Sequence, residues 1–134
     1  MKAALALLAL AAIAPAKDSG LLGEALAGRV AGAPAQCAPI FANVALEPID
    51  ASTLVYRPTA RRTWVTRLPT PCPGLDRDAI VVVEAMSGAS YCEGDRIRAL
   101  DRLTRATRTT CRLGKFTPWD RRQPAPGTTP TPRR

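Results

Sequence analysis

The first sixteen residues carry the most continuous apolar pattern of the chain. A single basic residue, Lys2, precedes an unbroken apolar run over 3–14, and the run ends in Ala14-Pro15-Ala16. These are the three parts of a cleavable secretory signal peptide, and the run is shorter than the roughly 20 apolar residues that a membrane span needs. The pattern predicts a signal peptide over Met1–Ala16 and export to the periplasm or the medium. The first cysteine is Cys37, too far along to be lipidated, so we expect a soluble product without a transmembrane segment.

Residues 17–36 form the next predicted unit, a short helix followed by a turn. Apolar side chains recur at the spacing of one helical stripe: Leu21, Leu22, Ala25 and Leu26. Asp18 or Ser19 can cap the start of the helix, and Gly28 can end it. A turn through 32–34 then leads into the following segment.

From Cys37 onward the pattern changes to alternating and β-branched runs, which are typical of strands. The segments with this pattern are 40–47, ended by Pro48, then 53–57, 63–68, 79–86, 96–103 and 109–116. The β-branched run over 80–83 predicts a central strand, buried on both faces. Residues 96–103 fit a helix or a strand, and the surrounding meander favours a strand. We therefore predict a mostly β fold, a small curved antiparallel sheet or barrel of five to six strands with one short N-terminal helix.

Proline-rich segments mark the limits of this β domain. Pro69–Gly74 contains three prolines, which lack the N–H that a sheet needs, and is predicted to be a loop. After Trp119 the composition shifts to proline, threonine and arginine, which cannot bury enough apolar surface to order a segment. The predicted domain therefore spans 37–119, and 120–134 is predicted to be a disordered tail.

The four cysteines are far apart in the sequence: Cys37, Cys72, Cys92 and Cys111. An even number in an exported chain indicates two disulfides, whereas zinc ligands usually come in close Cys-x-x-Cys pairs. Three pairings are open. We favour Cys37–Cys111, which would join the first strand to the last, and Cys72–Cys92, which would join two loops flanking the central strand.

The residue types available for chemistry are limited, because the chain contains no histidine. Histidine is the usual general base near neutral pH and the commonest transition-metal ligand. Two acidic pairs remain, Asp76 with Asp78 and Glu93 with Asp95, and both lie in glycine-containing turns. We therefore predict no catalytic, cofactor or metal site, and no enzymatic activity.

Basic residues outnumber acidic ones, and the formal net charge is +8. Arg57, Arg61 and Arg62 cluster at the tip of the hairpin predicted between 53–57 and 63–68, where they are candidate contacts for an anionic partner. Tyr56 and Trp64 flank this tip, as stacking aromatics do in nucleic-acid-binding proteins. Alternate strand positions equally suit a hydrophobic core, and export removes the chain from cellular nucleic acid. We therefore do not expect a nucleic-acid partner.

Six short segments are distinctive: 26–32 (LAGRVAG), 53–56 (TLVY), 63–68 (TWVTRL), 72–75 (CPGL), 92–95 (CEGD) and 111–116 (CRLGKF). Together they resemble a family of small exported proteins of Gram-negative bacteria with unknown function, over about Leu26–Trp119. The chain departs from that pattern at Thr66, where asparagine would be expected, and in its tail. The resemblance implies export and a compact domain, and brings no activity or catalytic residues.

These observations favour a non-enzymatic periplasmic module that binds an envelope component or a partner protein. One alternative is an inhibitor that blocks an envelope enzyme with the loop Pro69–Gly74. A second is a small enzyme that uses one of the two acidic pairs. The sequence leaves the identity of the partner and the oligomeric state open.

Overall fold

The computed structural model describes residues 19–41 and 44–123. The predicted signal peptide, the helix cap at Asp18 and residues 124–134 of the predicted tail lie outside this part of the chain. The described residues contain one helix, α1 (Ser19–Leu26), and ten strands. The strands are β1 (Arg29–Ala31), β2 (Cys37–Pro39), β3 (Leu46–Asp50), β4 (Thr53–Tyr56), β5 (Arg62–Arg67), β6 (Ile80–Glu84), β7 (Ser90–Cys92), β8 (Arg96–Leu100), β9 (Thr107–Arg112) and β10 (Phe116–Arg121).

The strands form three antiparallel sheets. The largest has the order β1-β10-β5-β4-β3, the second has the order β6-β8-β9, and β2 pairs with β7. The prediction of a mostly β fold with one short N-terminal helix and two disulfides is confirmed.

One hydrophobic core lies between the sheets. The five-stranded sheet contributes Leu54, Tyr56 and Phe116, and the three-stranded sheet contributes Ile97, all of them fully buried. The Tyr56 hydroxyl donates to the Pro39 carbonyl oxygen over 3.0 Å and accepts the N–H of Phe41 over 2.8 Å. A buried phenol that donates and accepts in this way avoids the cost of an unpaired polar group and fixes the chain after β2.

Helix α1 lies on the opposite face of the five-stranded sheet. Neighbouring side chains of a strand point to opposite faces, so Val65 points away from the core that Trp64 enters. Leu22 and Leu26 of the helix line a cavity together with Val65 and Trp119. The predicted end of the helix is confirmed, since Gly28 has a left-handed backbone with φ of 69°.

Two strand predictions are wrong in their bounds or their place in the sheet. The predicted strand over 40–47 gives way to β3, which runs through Pro48. Proline is tolerated there because β3 is the edge of its sheet. The β-branched run over 80–83 lies in β6, which is an edge strand and only partly buried, whereas β8 is the centre of the three-stranded sheet. The strand chosen for 96–103 is confirmed over Arg96–Leu100.

The last strand, β10, was missed in the sequence. The predicted strand over 109–116 ends at Arg112, and β10 then extends to Arg121, inside the predicted tail. The sequence pattern did not predict this strand because it contains Pro118. The Pro118 carbonyl oxygen accepts the N–H of Gly32, just past the end of β1. The backbone of Pro118 therefore faces the β1 side of β10, at a point beyond the last paired residue of β1. Because Pro118 does not face β5, its missing N–H removes no hydrogen bond to β5.

The favoured disulfide pairing is wrong: the structure joins Cys37 to Cys92 and Cys72 to Cys111. Cys37 and Cys92 are direct partners in the β2–β7 pair, with Cα atoms 4.0 Å apart. The prediction assumed that the first strand lies beside Cys111 in the last strand. Cys111 instead lies in β9, in the other sheet, where its Cα is 6.1 Å from that of Cys72.

Candidate anion-binding surface

The predicted hairpin forms from β4 and β5, and its turn carries the three arginines singled out in the sequence. Arg57, Arg61 and Arg62 are all exposed. The Thr59 hydroxyl accepts the N–H of Arg62 over 3.1 Å, which closes the turn. The structure therefore places these side chains together at one end of the five-stranded sheet.

Arg62 is held by an acidic neighbour on β10. Its Nε and Nη2 donate to the two carboxylate oxygens of Asp120 over 2.7 and 2.6 Å, and its guanidinium lies 5.3 Å from the ring centre of Trp64. The hydrogen bond from Arg62 lowers the pKa of Asp120, and the same bond raises the pKa of Arg62. A bidentate pair of this kind has few donors left for a ligand.

The other two hairpin arginines are less constrained. Arg57 lies 3.5 Å from a carboxylate oxygen of Glu47, and both side chains are about half exposed. Arg61 forms no ion pair with any residue that the structure describes. Arg61 is therefore the hairpin cation best placed to meet an external anion.

Three further arginines join the hairpin from distant parts of the chain. Arg29 donates to the carbonyl oxygens of Ala60 and Arg61 over 3.1 and 3.0 Å, and Arg121 donates to that of Ala60 over 2.8 Å. The backbone N–H of Arg122 bonds to the carbonyl oxygen of Gly28. We call the resulting surface the basic end, and its members are Arg29, Arg57, Arg61, Arg62, Arg121 and Arg122.

The basic end surrounds an open cavity of about 540 Å³ beside the C-terminal end of α1. Four of its arginines line this cavity, and Glu24 is the one acidic side chain in the lining: the arginines are Arg29, Arg57, Arg121 and Arg122. Arginine side chains that converge on one cavity favour anions, because each presents planar donors to carboxylate or phosphate oxygens. The cavity therefore has the chemistry of an anion site.

A second, larger cleft continues from this cavity. It measures about 680 Å³ and shares Glu24, Ala25 and Arg57 with the cavity of the basic end. Its lining combines apolar side chains of α1, β3 and β6 with Arg77 and Arg102. A volume between about 300 and 1,000 Å³ is typical of pockets that hold small molecules.

The aromatic residues beside the hairpin belong to the core. Tyr56 is fully buried and Trp64 is 6% exposed. Neither ring is available to stack on a base, so the hairpin presents cations without an exposed aromatic platform.

The two acidic pairs do not meet in a cleft. Asp76 bonds to Arg108, with oxygen–nitrogen distances of 3.0 and 3.2 Å. Asp95 is 2% exposed and accepts the N–H of Cys92 over 2.8 Å, while Glu93 is exposed. Arg108 also bonds to Asp101, whose pKa is lowered by the N–H of Thr104 and then by Arg108. These carboxylates hold turns in place.

Two further properties concern only the described part of the chain. No three acidic, cysteine or histidine side chains gather there closely enough to hold a metal ion. That part contains no helix that is both long and apolar enough to cross a membrane.

Comparison with models of known families identifies the family of this chain. A model of a family of unknown function, DUF6491, matches residues 1–126. The chain belongs to this family. No curated protein and no solved structure matches it. The match to DUF6491 includes the apolar first sixteen residues and the last two residues of β10, Asp120 and Arg121, which all lie outside the range of the motifs quoted above.

For this DUF6491 protein, sequence patterns located only half of the basic end. Arg57, Arg61 and Arg62 are close in the sequence, so a hairpin prediction brings them together. Arg29 and Arg121 meet that hairpin only because β1 pairs with β10 and β10 pairs with β5. The signal that could have revealed this was the β-forming sequence around Pro118.

Proposed function

We propose that this DUF6491 protein is an exported, non-enzymatic binding module of the periplasm whose basic end binds an anionic component of the cell envelope. The observation that carries the proposal is the grouping of six arginines at one end of the five-stranded sheet, where four of them line one open cavity. Among the described residues, only Glu47 and Asp120 form ion pairs with them. The excess of positive charge attracts anionic surfaces, at about 1 kcal/mol for each basic residue near an acidic membrane.

Export is supported by two separate features. The first sixteen residues have the charge, apolar run and small-x-small ending of a signal peptide. All four cysteines are paired in disulfides, which persist in oxidising compartments such as the periplasm. Fractionation of expressing cells tests this part. We expect the protein in the periplasmic fraction with Lys17 as its first residue, and recovery in the cytoplasm with Met1 intact would refute it.

The absence of an enzymatic role is supported by how the acidic pairs are used. In each pair one carboxylate, Asp76 or Asp95, accepts bonds from a guanidinium or from backbone N–H groups, which leaves one free carboxylate per pair where two-acid chemistry would need both. The chain has no histidine to replace them.

Vesicle binding tests the main proposal. We expect the protein to bind phosphatidylglycerol vesicles, to ignore phosphatidylcholine vesicles, and to dissociate as salt is added, because exposed charges are screened. The double variant Arg61→Glu/Arg122→Glu should bind at least about tenfold more weakly, given the energy of each basic residue. Arg112→Glu is the control for a charge reversal elsewhere, compared with the single variant Arg61→Glu, because Arg112 lies on β9 in the three-stranded sheet and is exposed. Equal binding to both vesicle types, or the same loss in the control, would refute the proposal.

The inhibitor alternative retains one supporting observation. Pro69, Thr70 and Pro71 are exposed, and the loop is fixed at both ends by the N–H of Leu68 on Ser52 and the N–H of Cys72 on Ala51. The Cys72–Cys111 disulfide adds a covalent anchor. A rigid exposed segment of this kind can occupy an enzyme cleft at little entropic cost. Peptidase activity in periplasmic extract should then fall when the protein is added, and Thr70→Arg should remove the effect.

A further inference from the structure

Two sheet edges face each other on one side of the molecule. β3 is the last strand of the five-stranded sheet, β6 is the last strand of the three-stranded sheet, and the two lie side by side without pairing. We call the space between them the seam. Val81 and Val83 of β6 pack against the core yet remain partly exposed, so the seam opens directly onto apolar side chains.

The seam is one continuous groove. The 680 Å³ cleft described above and a second cavity of about 400 Å³ share three lining residues, Ala45, Leu46 and Val81. The groove therefore follows β6 along its length. The four residue steps between Ile80 and Glu84, at about 3.3 Å each, give a run of roughly 13 Å.

The chemistry of the groove changes from one end to the other. At the Val83 end every lining side chain is apolar or aromatic, among them Phe41, Val44 and Tyr91. Phe41 is 47% exposed and lines this cavity beside Val44 and Tyr91, which are partly exposed, so this end presents several apolar side chains to a ligand. Burial raises the pKa of the Tyr91 hydroxyl, with a further contribution from Tyr56.

At the Ile80 end the groove meets positive charge. Arg77 forms no ion pair with any described residue. Arg102 uses only its Nε in a hydrogen bond, which it donates to the carbonyl oxygen of Asp78 over 3.2 Å. Glu47 lines the same end but is paired with Arg57. The free guanidinium groups outnumber the free carboxylates at this end, where Glu24 is the other acid.

An apolar channel with cations at one mouth matches an amphiphile with an acyl chain and an anionic head. We infer that the seam binds one anionic amphiphile, with its chain along β6 toward Phe41 and its head group at Arg77 and Arg102. This inference rests on the proposed function, because it names the class of anionic envelope ligand. It differs in placing that ligand as a single molecule inside the fold.

Titration calorimetry with three probes tests the inference: dodecyl phosphate below its critical micelle concentration, inorganic phosphate and dodecyl maltoside. Each buried methylene tightens binding about fourfold, so burial of only four of the twelve carbons should make dodecyl phosphate bind more than about a hundredfold tighter than inorganic phosphate. Because dodecyl maltoside has the same chain and a neutral head, it should bind at least about tenfold more weakly than dodecyl phosphate. The stoichiometry should be one probe per chain.

Two variants separate the chain from the head group. Ala45 is exposed and lines both cavities, so Ala45→Trp should fill the groove and weaken dodecyl phosphate binding, with an unchanged melting temperature. Arg77→Gln/Arg102→Gln should reduce dodecyl phosphate affinity to that of dodecyl maltoside. Arg112→Gln is the matched control and should bind all three probes as the parent does.

The outcomes also separate this inference from the proposed function. If dodecyl phosphate binds no better than inorganic phosphate while phosphatidylglycerol vesicles are still bound, the seam holds no acyl chain and only the inference fails. If the occupant of the seam is instead an extended peptide that pairs with the free edge of β6, dodecyl phosphate should likewise bind no better than inorganic phosphate. If dodecyl maltoside binds as tightly as dodecyl phosphate, the role of the arginines is refuted. If neither probes nor vesicles bind, both proposals fail.

Discussion

The hydroxyl of Thr66 donates a hydrogen bond to the carbonyl oxygen of Gly114 over 3.1 Å inside the core. This bond joins β5 to the short turn between β9 and β10. Gly114 itself packs against the carbonyl group of Arg67, where no side chain would fit. The contact therefore fixes how β10 enters the five-stranded sheet, and with it the arginines that β10 carries.

Two threonines on β5 should respond in opposite ways to the same substitution. Thr66→Val removes the bond to Gly114 and should lower the free energy of unfolding by about 1–2 kcal/mol, because a buried acceptor is left unpaired. Thr63 is also fully buried, yet its hydroxyl has no partner in the described part of the chain. Thr63→Val should therefore raise the stability by about 1 kcal/mol. Urea unfolding of the two variants measures both changes, and a loss of equal size in each would contradict this account.

Replacing glycine with alanine should destabilise the fold at Gly114 and stabilise it within α1. An added Cβ at Gly114 would collide with the Arg67 backbone, so Gly114→Ala should cost about 1–3 kcal/mol or more, as overpacking does. Gly23 lies within the helix with open space around it, and Gly23→Ala should stabilise by about 0.5–1 kcal/mol through helix propensity. Thermal unfolding of both variants provides the comparison. A neutral Gly114→Ala would show that the β9–β10 turn can move.

The Arg62–Asp120 pair predicts a stability difference that depends on pH. Arg62 lowers the pKa of Asp120 below its ordinary value of 3.8. The pair therefore stabilises the fold at neutral pH, and this contribution is lost as the pH falls through the lowered pKa. Asp120→Asn should be slightly less stable than the parent at pH 7 and equal to it in strong acid. Asp78→Asn is the control for the loss of a surface carboxylate, since Asp78 forms no ion pair among the described residues.

Each disulfide should contribute strongly to so small a domain. On the chain-entropy model, loops closed over 55 and 39 residues stabilise by about 4 kcal/mol each. The paired variants Cys37→Ala/Cys92→Ala and Cys72→Ala/Cys111→Ala should both unfold at markedly lower temperature. Peptide mapping without reductant should recover Cys37 linked to Cys92. Recovery of Cys37 linked to Cys72 or Cys111 would contradict the β2–β7 pairing.

Local patterns in the sequence predicted what depends on local interactions. The apolar stripe followed by Gly28 predicted where α1 ends, and the β-rich segments on either side of 58–62 predicted the hairpin. The pattern failed where a neighbour in space decides the outcome. Pro48 lies in a strand because β3 is an edge, and the run over 80–83 is apolar because it borders the seam, although it is not central.

The same distinction applies to the site. The three hairpin arginines were identifiable because they are adjacent in the sequence. Arg29 and Arg121 could not be placed, since the strand that carries Arg121 contains Pro118 and was assigned to the tail. The wrong disulfide pairing has the same cause, because a sequence reading without β10 makes the strand of Cys111 the last one.

The two native disulfides overlap along the chain, since each loop contains one cysteine of the other pair. A chain that crosses a membrane from its N-terminus presents Cys37 and Cys72 to an oxidant before Cys92 arrives. Bonds made in order of arrival would therefore be non-native, and exchange through a thiolate would be needed to correct them. On the proposed export, we therefore expect correct maturation of this domain to need a host that supplies disulfide reshuffling as well as oxidation.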